Sequence, residues 1–209
     1  QCLIEPCDYP FLNRNSGIGL EMNDYVWFDA LKKAIRKNKR LRENRYFQLA
    51  TISKGALPAN RTVVFRGFTE PSNSIKVITD SRSKKLEEIK SNPSFEICWY
   101  FSITREQFRV RGEAKIVDQS GSDERIKTWS ELSDSAKEQF FWPAPGKHIE
   151  SSVNETKPNL VMHQEIPETF VLLDLQPISV DHLRLKGSPQ TRILSSIDSG
   201  DWRSLEVHP

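Results

Sequence analysis

Residues 81–90 (SRSKKLEEIK) place Arg82, Lys84 and Lys85 in the first turn of a predicted short helix, with Glu87 and Glu88 after them. That order opposes the helix macrodipole, whose positive end is the N-terminus. A bound anion would resolve the conflict. Free backbone N–H groups, the Ser81 and Ser83 hydroxyls and the cationic side chains would then converge on one phosphate. The plainer alternative is a solvated helix that tolerates a cost of about a few tenths of a kcal/mol.

A second set of candidates lies on strands. Arg61 and Arg66 flank the apolar part of residues 60–68 (NRTVVFRGF), and Gln107 and Arg109 share one face of residues 107–117 (QFRVRGEAKIV). Guanidinium and amide groups on adjacent rigid strands can grip a flat, hydrogen-bonding ring together with a phosphate. Taken singly, each reads first as a structural side chain, the arginines as ordinary strand-end groups paired with Asp or Glu. A third set is basic: Lys32, Lys33, Arg36, Lys37, Lys39, Arg40, Arg42 and Arg45 crowd the end of a predicted helix. They suit the negative end of its dipole, or form an anion or nucleic-acid patch.

Other chemistries find no residues to carry them. Cys2, Cys7 and Cys98 are no disulfide framework, and Cys98 reads as a small buried hydrophobe. His148, His163, His182 and His208 match no zinc spacing, so no protein-ligated metal is expected. With nine glycines, neither the dinucleotide-binding nor the P-loop spacing occurs. The 30 basic and 28 acidic residues leave a formal charge of +2, which argues against a general nucleic-acid binder.

The elements that must position these groups follow from periodicity. The 209 residues, 37% hydrophobic and 28% charged, suit one soluble domain with a real core. Residues 1–20 read as an arm and 21–209 as that domain. Asn23 or Asp24 can cap a helix to about Asn38, with Trp27, Leu31, Ala34 and Ile35 on one face. From Tyr46 the period becomes two. Strands are predicted at residues 46–52, 60–68 and 75–79, joined by short turns that favour antiparallel pairing. A central strand at 95–101 and the strand at 107–117 follow. Helices are expected at 123–132 and 135–141, then a loop or lid from Pro143 to Pro167. Further strands are expected at 170–175, 180–185, 191–195 and 202–207. This is a mainly β, α+β antiparallel barrel with flanking helices, not a doubly wound fold. The chain starts at Gln1 rather than Met, so a targeting segment could precede it. The expected compartment is the cytoplasm or an organelle.

In combination these pieces resemble the pyridoxamine 5'-phosphate oxidase-like FMN-binding proteins. Residues 61–67 (RTVVFRG) are similar to that family's R-x-V-x-x-[KR]-G strand. Thr79 with Ser83-Lys84-Lys85 resembles its phosphate turn, and Asn92-Pro93 follows in place. Trp99 and residues 106–112 (EQFRVRG) resemble its W…R-Q-V-R-x-x-G strand. Arg192 resembles the second arginine of its R-x-x-x-R motif, and residues 202–209 (WRSLEVHP) its closing W…L-x-P. The order holds from about Tyr46 to the last residue. The resemblance implies an FMN-binding split β-barrel, built as a homodimer with flavin at the interface and completed by residues 168–209. Arg61, Arg66, Ser83, Lys84 and Lys85 would hold the FMN phosphate and ribityl end. Val63, Val64, Phe65 and Thr79 would line the flavin, and Gln107 would touch the isoalloxazine. Arg192 and Trp202 would reach it from the partner subunit.

The chain departs from the family where the vitamin B6 substrate would sit. Ser188 and Gln190 occupy the positions of a substrate-binding arginine and histidine. The R-P-x-x-S segment for the substrate phosphate is unrecognisable between Ser122 and Phe141; Arg105 and Lys186 are candidate replacements. Residues 141–146 (FWPAPG) suggest a divergent branch. Three readings stand: an FMN oxidoreductase acting on pyridoxine or pyridoxamine 5'-phosphate, a flavin- or ligand-binding barrel without that turnover, and a nucleic-acid-binding barrel using the basic run.

Overall fold

Alternation of apolar and polar residues shapes several of the strands, because successive side chains leave opposite faces. The computed structural model describes residues 26–148 and 165–209. The arm, the capping Asn23 and Asp24 and most of the Pro143–Pro167 loop lie outside them. Helix α1 (Val26–Asn38) turns Trp27, Leu31 and Ala34 into the core. Buried Asn38 ends it: its Nδ2 donates to the Ala34 carbonyl at 2.8 Å and to Thr104 Oγ1 at 3.0 Å, and its Oδ1 accepts from Ile103 N–H.

Strands β1 (Tyr46–Ile52), β2 (Pro58–Val64), β3 (Phe68–Thr69) and β4 (Ser74–Asp80) precede helix α2 (Lys84–Ser91). Strands β5 (Ser94–Phe101) and β6 (Glu106–Val117) lead to helices α3 (Asp123–Ser130) and α4 (Asp134–Glu138) and a 3₁₀ turn at Gln139–Phe141. Strands β7 (Phe170–Arg184), β8 (Thr191–Asp198) and β9 (Asp201–Val207) close the chain. The sheet runs β2-β1-β5-β6-β7-β4-β3, with the β8–β9 hairpin also on β7, and every pairing is antiparallel. Phe47, Leu49, Ile97, Trp99, Phe108 and Val110 fill the interior with α1 and with Leu86 and Ile89 of α2. A second cluster of Trp129, Leu132, Phe140 and Phe170 seats α3 against β7.

Three expectations change. The strand at 60–68 stops at Val64, because Gly67 takes φ +113° and turns the chain. β4 does not pair with β2; it lies across the barrel against β7. The two strands expected at 170–175 and 180–185 are one continuous β7. Its first half pairs with β4 and its second half with β8, while β6 runs along its other edge. At the changeover the β6–β7 register slips: Arg111 faces Ser179 but Gly112 faces Pro177, leaving Ile178 as the bulged residue. A Cβ at Gly112 would lie 1.8 Å from the Gln176 carbonyl oxygen.

Gly112→Ala must therefore push β6 and β7 apart where no flexible side chain can yield. It should lower the unfolding midpoint by about 5 to 10 °C in a thermal melt. An unchanged midpoint would show that the bulge tolerates a side chain.

Candidate cofactor site

The site forms where β4 ends and α2 begins. Asp80 and Ser83 close a tight turn through Ser83 N–H to the Asp80 carbonyl at 3.1 Å, and Ser81 N–H reaches the Thr169 carbonyl at 2.8 Å. Ser83 is the N-cap of α2, yet its hydroxyl makes no capping bond. It instead lies 3.0 Å from Thr79 Oγ1, which also accepts from Lys85 Nζ at 2.8 Å. Both hydroxyl residues are buried. Burial, then the neighbouring Arg61 guanidinium, lower the pKa of the Lys85 ammonium below the usual lysine range.

Arg61 comes to the same place from β2. It donates to Glu88 Oε2 at 2.7 Å, to Thr51 Oγ1, and to the Leu49 carbonyl at 3.4 Å. Burial would raise the Glu88 carboxyl, but hydrogen bonds from Thr51 and Arg61 outweigh it and hold the group below its ordinary value. Glu88, on the next turn of α2, thus anchors Arg61, and Glu88 and Asp80 both act on the charge of Lys85. A groove of about 310 Å³ opens beside Thr79, Ser83 and Lys85, walled by Phe140, Trp142 and Pro143.

The expected cations do not all converge. Arg82 turns away onto Asp80, with its Nε 2.9 Å from Oδ1 and its Nη2 2.6 Å from Oδ2, and it also reaches the Trp142 carbonyl at 2.9 Å. Lys84 is exposed on the first turn. Arg66 lies just past β2. Its backbone N–H bonds the Lys76 carbonyl at 3.0 Å, while its Nε is buried without an acceptor. Burial and the charge of Arg45 lower its pKa. Val63 is buried inside the barrel and Val64 half-buried. Phe65 packs its ring on Trp99 and Phe68, both at 5.0 Å, which leaves its backbone to line a ligand.

Gln107 lies on the outward face of the sheet. Register puts Tyr100, Gln107, Leu183 and Arg192 side by side across β5, β6, β7 and β8. Arg192 is clamped by Asp181 at 3.0 and 2.7 Å, and Asp181 also lies 3.7 Å from Arg109. Arg109 pairs with Glu96 at 2.8 Å, and Arg111 also bonds Glu96. Cys98 is not a core residue: it is half-buried on this face, its Sγ 3.9 Å from Gln107 Oε1, and burial raises its pKa. Trp202 takes the opposite course. It is 9% exposed and packs on Trp27 of its own chain at 5.1 Å. Ser188 and Gln190 are exposed between β7 and β8. Arg105 and Lys186 are brought near each other, since Leu185 N–H bonds the Arg105 carbonyl at 2.9 Å.

Sequence reasoning missed Thr51, Glu88 and Asp181, the groups that orient the cations. Glu88 stood in plain view behind the lysines; nothing local marked the other two. The donor set fits a phosphate-bearing cofactor. An uncapped helix N-terminus, a half-buried ammonium and two hydroxyls are all groups that an anion satisfies.

Comparison with known proteins agrees with this geometry. Residues 24–118, from α1 through β6, match the family model described as pyridoxamine 5'-phosphate oxidase, FMN-binding domain. The chain is 39% identical over 192 residues to pyridoxine/pyridoxamine 5'-phosphate oxidase 2 of Arabidopsis thaliana, covering 88% of this chain and 96% of that protein. A crystal structure of a pyridoxamine 5'-phosphate oxidase-related, FMN-binding protein from Nostoc punctiforme is 41% identical. It superposes with a TM-score of 0.80 over 90% of this chain and 100% of that one. PhzG from Burkholderia lata, solved with tetrahydrophenazine-1-carboxylic acid, shares the fold at 21% identity and a TM-score of 0.70, over 87% of this chain and 91% of that one. With FMN as its family's cofactor and an antiparallel split barrel to hold it, the chain belongs to the pyridoxamine 5'-phosphate oxidase-like FMN-binding family.

Proposed function

We propose that the protein is an FMN-dependent oxidoreductase that oxidises pyridoxine or pyridoxamine 5'-phosphate to pyridoxal 5'-phosphate, with oxygen as acceptor. The observation that carries this reading is the donor cluster at the start of α2, in a chain 39% identical to an Arabidopsis oxidase of that name along almost its whole length. When bound, FMN supplies a hydride acceptor that oxygen can restore. The chain supplies position and charge. Lys85, Ser83 and Thr79 would hold the FMN phosphate, with Arg61 fixed behind them by Glu88 and Lys84 at the solvent edge. Arg66 would offer its buried Nε–H to the phosphate or ribityl end. The backbone of Val63, Val64 and Phe65 would line the flavin, and the Gln107 amide would face the isoalloxazine edge.

The proposed assembly is a homodimer with FMN between the subunits. Exposed Tyr46 and Tyr100 next to Gln107 supply apolar surface for that interface. Arg192, held by Asp181, would reach across it. Trp202 would present beside it the edge that its packing on Trp27 leaves open.

One observation favours a second reading, a flavoprotein that does not oxidise vitamin B6. Ser188 and Gln190 offer neither cation nor imidazole where the resemblance expects both.

Two measurements test the proposal. The purified protein should retain flavin absorption after FMN loading and desalting. Lys85→Ala and Arg66→Ala should each raise the Kd for FMN by about tenfold to a hundredfold, the loss of one charge-assisted bond. Their melting points without flavin should stay near the parent's. Unchanged FMN affinity in both variants would refute the assignment of the phosphate corner. Pyridoxine 5'-phosphate should drive peroxide formation by the FMN-loaded protein. Tight FMN binding with no peroxide from either phosphorylated vitamer would establish the second reading instead.

A further inference from the structure

Strands β6 and β7 have another face, opposite Gln107. There Glu106, Phe108 and His182 turn towards α1. Between them and the helix lies a cavity of about 250 Å³. Lys33 and Lys37 enter it from α1, one helical turn apart, and Arg184 enters from the end of β7. Its two carboxylates have partners of their own, and Glu106 also feels the charge of Arg184. Asp29 pairs with Lys32 at 3.0 Å and Glu106 with His182 Nε2 at 2.8 Å. Among the described residues, Lys33, Lys37 and Arg184 have no carboxylate within 4.0 Å. Like charges at this helical spacing repel, and the cavity mouth gathers a third cation beside them.

The floor is rigid. His182 is 4% exposed, lies flat on Phe108 at 4.1 Å and is pinned by Glu106. Part of the basic run thus has a defined place: Lys33 and Lys37 line the cavity mouth and are exposed there, as are Lys32, Arg36, Lys39 and Arg40 along the helix.

We propose that this cavity is a second anion site, separate from the cofactor corner, for a small phosphate monoester. Two ammonium groups and a guanidinium on rigid elements supply the charge-assisted donors that a dianion needs, and the arginine fork suits two phosphate oxygens. The cavity volume admits a phosphate with a short organic body. The inference stands on this geometry alone and does not depend on the flavin reading.

The test is calorimetric titration of glycerol 3-phosphate into FMN-saturated protein in low-salt buffer. We expect saturable binding with a Kd of about 1 mM. The K33A/K37A double variant and Arg184→Ala should each weaken it at least about tenfold, one lost charged contact being worth that much. Lys85→Ala should leave it unchanged. The His182 ring ¹⁵N resonances should shift on titration in the parent and not in K33A/K37A. Absence of saturable binding to about 50 mM, a Kd far weaker than three charged contacts provide, would overturn the proposal. So would equal binding by K33A/K37A, or loss of binding only in Lys85→Ala, which would move the ligand to the cofactor corner.

Discussion

Strand β7 serves two neighbours along one edge. Residues Phe170–Leu175 pair with β4 and residues Ser179–Arg184 with β8, while β6 follows the whole strand on the other side. One ladder cannot change partners without a break, and the break is the bulge at Ile178, opposite Gly112. Pro177 brings no N–H to it, and Gly112 brings no side chain. The functional geometry depends on that arrangement. Pairing with β4 places Thr79 and the start of α2 at one end of the barrel. Pairing with β8 places Arg192 in the row of Gln107.

The cofactor corner is an imbalance of donors over acceptors built on rigid elements. Thr79 closes β4, Ser83 and Lys85 open α2, and Arg61 arrives from β2. Glu88 and Thr51 restrain Arg61 without neutralising Lys85, whose ammonium remains depressed by burial and by the guanidinium beside it. An anion relieves both effects at once. Arg82 keeps out of this group because Asp80 holds it in a fork of two hydrogen bonds, so the backward-looking charge order at the helix start is reduced by one cation.

The outward face of the same sheet is charged in a connected way. Glu96 binds Arg109 and Arg111, Asp181 binds Arg192 and lies near Arg109, and the chain of pairs crosses from β5 to β8. These groups are partly solvated, so each pair contributes little to stability by itself. Their effect is orientation: the guanidinium of Arg192 is held in one rotamer by both oxygens of Asp181. The face towards α1 is built differently, with one buried imidazole–carboxylate pair beneath Lys33, Lys37 and Arg184. Two adjacent strands thus present two distinct electrostatic surfaces, as the alternation of side chains in a strand allows.

Much of this was legible in the sequence alone. Period-two alternation located β1 and β6, a run apolar on both faces located β5, and the 3.6-residue pattern of Trp27, Leu31 and Ala34 located α1, because these signals are local. The residue types of the proposed phosphate corner were legible too, since Ser83 and Lys85 sit at a helix start marked by its own charge conflict. Their family was legible from the order of short motifs. The tertiary structure alone decided which edge β4 joins, that residues 170–184 form one strand, and which acid restrains which arginine. Those choices rest on contacts between residues far apart in the chain, such as Arg61 with Glu88 or β4 with β7. It also decided that Trp202 serves the core against Trp27 and that Cys98 faces outward. A strand's sequence specifies two faces; only packing against the rest of the barrel determines what each face meets.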